Sequence, residues 1–185
     1  DVAWIETMSS AEEVNAAVAA AISVDLPSVV TCSFATAGRT MMGMLPGALA
    51  EVVAAQPVAP VAIGANCGVG AADVLVSLLA MQGAAHTLVC KGNCGIPRFV
   101  GSACVYSGTP ELMARYATMA IDAGARIVGG CCGTTPAHIA AMRAAIDKHT
   151  GGEWPTIDSI VREMGPLTNA APSVNVARRA PRSRR

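Results

Sequence analysis

A short apolar run followed by a helical stripe recurs five times along this sequence, and that alternation restricts the fold more than any other feature. The apolar runs are 2–6 (VAWIE), 28–34 (SVVTCSF), 60–65 (PVAIGA), 86–91 (HTLVCK) and 125–129 (ARIVG). After the first, Ser9 and Ser10 each stand three residues before a glutamate (Glu12, Glu13), the pattern of a capping box. Val14, Val18, Ala21 and Ile22 then recur at helical spacing. Pro46 opens a second helix with Leu49, Val52 and Val53 inward, and Gln56-Pro57 ends it. The third helix runs over about 71–82, with Val74, Leu75, Leu78 and Leu79 inward and Gly83 as its C-cap. A long loop follows the fourth strand, to about Ser107. Thr109-Pro110-Glu111 starts the fourth helix, combining a capping hydroxyl, proline at the first position and an acid in the first turn. Leu112, Tyr116 and Met119 face inward and Gly124 ends it. Thr135-Pro136 starts the fifth, striped by Ile139, Met142 and Ile146.

Strand-to-strand spacings of roughly 25–40 residues suit right-handed βαβ units. Strict alternation predicts an α/β fold with a parallel sheet. Five units are too few to close an eight-stranded barrel, which takes about 250 residues. The expectation is therefore an open doubly wound sheet or a (β/α)8 barrel without its first strands. Residues 1–150 carry the repeat. In 151–185 the character changes: 156–164 (TIDSIVREM) reads as one short helix, and the arginine-rich end reads as disordered.

Composition narrows the function classes. Thirteen Lys+Arg balance thirteen Asp+Glu, and a few arginines without aromatics in the tail do not make a nucleic-acid site. Hydrophobic residues reach 52% with only 3% aromatics, so small aliphatic side chains must build the core, as in strands covered by helices on both faces. No apolar run reaches the roughly 18 residues of a membrane span. Seven cysteines cannot all pair, and no secretory signal is expected before them, although the chain opens on Asp1 and not Met. A reducing cytoplasm is expected, where clustered cysteines serve metals or catalysis.

The chemistry collects just past the strands. Glu6 follows the first, Asn66-Cys67-Gly68 the third, Lys91-Gly92-Asn93-Cys94-Gly95 the fourth, and Gly129-Gly130-Cys131-Cys132-Gly133 the fifth. In parallel α/β folds these C-terminal strand ends carry the site. Zinc accepts three protein ligands in a catalytic site and leaves a fourth position open. Cys67, Cys131 and Cys132 are the candidate ligands. Adjacent strand residues face opposite ways, so Cys131 and Cys132 reach one ion only if the backbone turns, a freedom expected of Gly129, Gly130 and Gly133. Three thiolates on Zn2+ leave a net negative centre, suited to holding a fourth sulfur as a nucleophilic thiolate. A redox pair or a structural metal remains the alternative at Cys131-Cys132. Cys32, Cys90 and Cys104 read as inert buried cysteines, and Cys94, though in a rim loop, reads as no ligand. Glu6 alone serves equally as a capping or salt-bridging acid. His86, His138 and His149 read as structural or solvated, and Gly68-Val69-Gly70 is only a weak phosphate-loop pattern.

At these motifs the sequence resembles the homocysteine S-methyltransferase family, above all bacterial betaine–homocysteine methyltransferases and the homocysteine domain of cobalamin-dependent methionine synthase. The stretches that carry the likeness are WIETMSSAEE (4–13), IGANCGVG (63–70), KGNCGIP (91–97), YSGTPELMARYA (106–117) and GGCCGTTPAHI (129–139). The resemblance implies a (β/α)8 barrel of which this chain holds the C-terminal five units. It implies Zn2+ bound by Cys67, Cys131 and Cys132, the homocysteine ammonium bound by Glu6, and Asn93 near the zinc or substrate. Gly64 and Ala65, in the GANCGVG turn, would help line the amino-acid pocket. The implied reaction is methyl transfer to homocysteine, giving methionine, with betaine as the expected small-molecule donor. By this match the chain starts at the fourth barrel strand, so an early Asp-Gly pair of the family is absent. A fragment, a half-barrel with a partner chain or a homo-oligomer is expected, and a truncated zinc-binding chain inactive alone is the competing reading. The family often has alanine where Cys94 stands.

Overall fold

The computed structural model describes residues 1–83 and 85–168. Five strands form one parallel sheet: β1 (Ala3–Met8), β2 (Ser28–Cys32), β3 (Ala62–Cys67), β4 (Thr87–Gly92) and β7 (Ala125–Gly130), in the order β1-β2-β3-β4-β7. Helices α1 (Ala11–Ser23), α2 (Ala48–Ala54), α3 (Ala71–Leu79), α4 (Pro110–Asp122) and α5 (Pro136–Lys148) follow the five strands. The expected alternation of parallel βα units is present, and among the described residues β1 and β7 each keep one unpaired edge. α6 (Ile157–Met164) is the expected short helix, capped by Thr156. The predicted disorder of the tail falls on 169–185, outside the described residues.

The sheet has two faces with different contents. Val30, Cys32, Ile63, Ala65, Leu88 and Cys90 meet the helices in the main core with Leu49, Leu75, Leu78, Met113 and Tyr116. Val29, Ala62 and Val89 form a smaller buried cluster with Ile127, on alternate positions of the same strands. Small apolar residues on both faces satisfy this arrangement, as composition predicted. Ile139 is the exception to the predicted stripes: it is 47% exposed, while Met142 of the same helix is buried.

The helix starts follow their local chemistry. Ser10 caps α1, its hydroxyl accepting from the Glu13 N–H at 3.1 Å. The Glu13 carboxylate reaches back to the Ser9 N–H and hydroxyl (2.7 and 2.8 Å), one residue earlier than a strict capping box. Thr109 caps α4 through the Leu112 N–H. At α5 the predicted start carries an imidazole in place of the usual acid: His138 Nδ1 accepts from the Thr135 N–H at 3.1 Å.

Two elements differ from expectation. Helix α3 ends at Leu79, and Gly83 lies in the turn beyond it at φ +79° rather than at a C-cap. The long loop after β4 contains an antiparallel hairpin, β5 (Pro97–Val100) and β6 (Ala103–Tyr106), closed by Gly101-Ser102. Gly101 has φ +63°, and glycine beside serine between two β-rich runs is a two-residue hairpin signal. Cys104 rides on this hairpin and is exposed, not buried. Cys32 and Cys90 are buried as expected, and burial pushes both thiols up to about 12. Among the described residues no helix is long and apolar enough to cross a membrane.

Candidate functional site

The C-terminal ends of β3, β4 and β7 converge on three sulfurs. The Sγ atoms of Cys67, Cys131 and Cys132 all lie within 4.8 Å of one another, and Cys67 and Cys132 are 4.0 Å apart. Thiolates on a tetrahedral zinc with bonds of about 2.3 Å sit roughly 3.8 Å apart. The three side chains therefore match a zinc-sized coordination shell. Among the described residues the donors are all sulfur, with no imidazole or carboxylate within the cluster, a set that favours soft metals.

The backbone that aims them follows the sequence expectation at Gly133 and departs from it at Gly129 and Gly130. Gly129 and Gly130 are ordinary strand residues of β7, paired with Lys91 and Gly92. Their missing side chains make room instead: a Cβ at Gly130 would meet Thr134 Oγ1 at 2.2 Å. The turn comes after the strand, where the Thr134 N–H reaches the Cys131 carbonyl at 3.2 Å and Gly133 takes φ +78°. Tyr106, from the hairpin, fills the space over Gly133, and a Cβ there would lie 2.2 Å from its ring. The third cysteine turns without glycine: Cys67 itself sits at φ +60°, a conformation a cysteine adopts only under tertiary constraint.

Two asparagines brace the cluster. Asn93 is buried; its amide donates to the Gly68 carbonyl at 2.8 Å and lies 3.7 Å from Cys67 Sγ, and its carbonyl accepts from the Cys132 N–H at 3.0 Å. It thus spans two of the three cysteines. Asn66 has no exposed surface and ties β1 to β3: its Oδ1 accepts from the Thr7 N–H (2.9 Å) and the Thr31 hydroxyl (2.8 Å). Its amide donates to Thr7 Oγ1 (2.7 Å) and approaches Cys131 Sγ at 3.9 Å. Sequence reasoning gave no role to Asn66, Thr7, Lys91 or Tyr106. The available signal was a polar residue ending an otherwise apolar buried strand. Asn66→Ala should destabilise the metal-free protein by about 2 kcal/mol, because the Thr31 hydroxyl loses its partner inside the sheet. Urea unfolding measures this, and an unchanged midpoint contradicts it.

Glu6 lies within β1, which continues two residues further than the sequence suggested. The β1–β2 register shifts between Ile5 and Met8, and Thr7 takes φ +66° there. Such irregularities re-aim side chains beside sites. Glu6 pairs with Lys91 and accepts from the Trp4 indole N–H at 3.1 Å. The Lys91 ammonium, helped by that indole, holds the Glu6 carboxyl below the usual range. Gly64 packs against the Val89 backbone, whereas Ala65 points into the helix-side core, so any contact Ala65 makes with a substrate runs through its backbone. Cys94 is buried, its thiol donating to the Gly108 carbonyl at 3.4 Å and standing apart from the three-sulfur group.

The thiols of the cluster are unequal. The Cys67 thiol, donating to Cys131, and the Asn66 amide favour thiolate at Cys131 and lower it to about 5. Cys67 moves up, because it holds the shared proton and is partly buried. Both side chains are half-buried, so reactivity reports protonation more than access. In metal-free protein at about pH 6 to 7, iodoacetamide should modify Cys131 before Cys67, read by peptide mass spectrometry. The reverse order contradicts this assignment of the shared proton.

The residue pattern of the homocysteine S-methyltransferase family matches residues 1–146. The chain belongs to that family. A methionine synthase from Mycobacterium leprae (strain TN) is 32% identical over 132 residues, which is 70% of this chain and 11% of that protein. Crystal structures of the homocysteine methyltransferase MmuM from Escherichia coli match as well. The apo form gives a TM-score of 0.61 at 26% identity, covering 78% of this chain and 49% of MmuM. The metallated form gives 0.63 at 25% identity, covering 78% and 44%. The present chain therefore spans about half of MmuM, or less, and about a tenth of the methionine synthase. Its parallel α/β units are those of the TIM-barrel-like fold of these structures.

Proposed function

We propose that this chain carries the zinc and thiol half of a homocysteine S-methyltransferase, transferring a methyl group to homocysteine to give methionine. The observation that carries this reading is the convergence of Cys67, Cys131 and Cys132 at one rim of a barrel-type sheet. Family membership supports it independently. Zinc held there would supply thiol activation, lowering the substrate thiol's pKa so that a nucleophilic thiolate is present at neutral pH. The chain's own residues do the rest. Asn93 fixes Cys132 and the Gly68 carbonyl so that the cluster is set before substrate arrives. Glu6 accepts the substrate ammonium, and Gly64 and the Ala65 backbone form the strand floor beneath it. Betaine is the proposed donor, on the likeness of the motifs. Residues 1–150 are the catalytic unit, 151–185 an appended helix and tail, and the cytoplasm is the setting that keeps the thiols reduced.

The partial coverage, with β1 and β7 each unpaired on one edge among the described residues, favours a second reading, a zinc-binding chain that is inactive without the remaining barrel. One experiment separates the two: zinc content of reduced protein, with X-ray absorption before and after adding homocysteine. About one zinc per chain that gains a sulfur ligand supports the methyltransferase. Zinc that gains none supports the second reading, and a folded protein without zinc refutes both.

A further inference from the structure

The thiol cluster and Glu6 account for two of the three polar groups of an amino-acid thiol. The α-carboxylate has no partner among them. Lys91 is the cation paired with Glu6. It is the penultimate residue of β4, in register with Asn66 and Gly129 and one residue before the layer of Cys67, Gly92 and Gly130. Its side chain crosses the sheet to pair with Glu6 on β1, although β2 and β3 lie between the two strands. The stem runs over Gly129, where an added Cβ would sit 3.4 Å from Lys91 Cγ. The ammonium lies 5.3 Å from the centre of the Trp4 ring, and the Trp4 indole bonds the same carboxylate. The pair is not sealed: the side chains of Lys91 and Glu6 remain 20% and 38% exposed.

An ion pair over an apolar sheet face is costly to desolvate unless both charges keep partners. A zwitterion offers each charge a new one. Its ammonium matches Glu6, its carboxylate matches Lys91, and the net charge of the pocket is unchanged. One ion pair is exchanged for two, whereas a thiol lacking the carboxylate would have to compete with Lys91 for Glu6.

We propose that Lys91 is a specificity residue that binds the substrate's α-carboxylate, and that its pairing with Glu6 is the resting state which a zwitterionic thiol opens. This rests on the reading of Glu6 as the ammonium site of a homocysteine-binding centre.

The test compares L-homocysteine with its decarboxylated analogue, 3-aminopropane-1-thiol, by calorimetric binding to the zinc-loaded protein. Lys91→Met should weaken homocysteine at least about tenfold while the analogue binds as well as before, or better because Glu6 is released. Lys91→Arg should retain the preference for homocysteine, and Glu6→Gln should weaken both thiols. Equal loss of both thiols in Lys91→Met, or no loss of either, overturns the proposal and leaves Lys91 a structural partner of Glu6. Wild-type protein that binds zinc but neither thiol overturns the homocysteine reading itself.

Discussion

Cys132→Ser should remove zinc from the protein and reduce methyl transfer by three or more orders of magnitude. The site offers three sulfurs, so loss of one leaves a two-ligand site. Zinc binding at thiolate-rich sites is worth about 10–16 kcal/mol in all, so one ligand represents roughly 3 kcal/mol, more than a hundredfold in affinity. Without bound zinc a free thiol is mostly protonated at neutral pH, and its nucleophile is lost as well. Cys131→Ser and Cys67→Ser should behave alike. Cys104→Ser is the control, because that thiol lies exposed on the hairpin and outside the cluster. Metal analysis and a methyl-transfer assay on the four variants decide the matter. Zinc retained in Cys132→Ser, or lost in Cys104→Ser, contradicts the ligand assignment.

Gly64→Ala should be the most damaging single substitution to the fold. The added Cβ would lie 1.9 Å from the Val89 carbonyl oxygen and 2.8 Å from its Cα. Those atoms belong to the backbone of the neighbouring strand, which cannot rotate away as a side chain can. Relief requires β3 and β4 to part along their Gly64–Val89 pairing, at the centre of the sheet. Overpacking of rigid interiors costs about 1–3 kcal/mol, and a clash with fixed backbone belongs at or above the top of that range. Against the roughly 5–15 kcal/mol of a whole domain this leaves protein that aggregates or melts far earlier. The check is soluble yield and thermal unfolding beside wild type. A substitution tolerated with little change in midpoint would mean that the strands are spaced more widely here.

The two predictions differ in how they could have been found. Cys131-Cys132 between glycines is visible as a line of text, and the three cysteines needed only the rule that parallel strands place their ends on one rim. Gly64 is one of many glycines in the sequence. Nothing in its local pattern distinguishes a glycine that flexes from one that simply has no room for a side chain, since that depends on how closely another strand approaches.

Local signals determined the βα alternation, the helix starts at Ser10, Thr109 and Thr135, the apolar stripes and the Cys131-Cys132 pair between glycines. All of these depend on residues a few positions apart, through hydrogen bonds and periodicities that a short segment already contains. The hairpin at Gly101-Ser102 was legible by the same logic but lay inside a segment read as loop. Tertiary structure alone decided the rest. It placed Cys67 in a left-handed conformation and, of the three glycines expected to supply the turn, gave it to Gly133 while leaving Gly129 and Gly130 in the strand. It also gave Asn66 its partners on two other strands and drew Lys91 across to Glu6. Each of these joins residues that are distant in the chain, and their energies depend on the curvature and spacing of the assembled sheet.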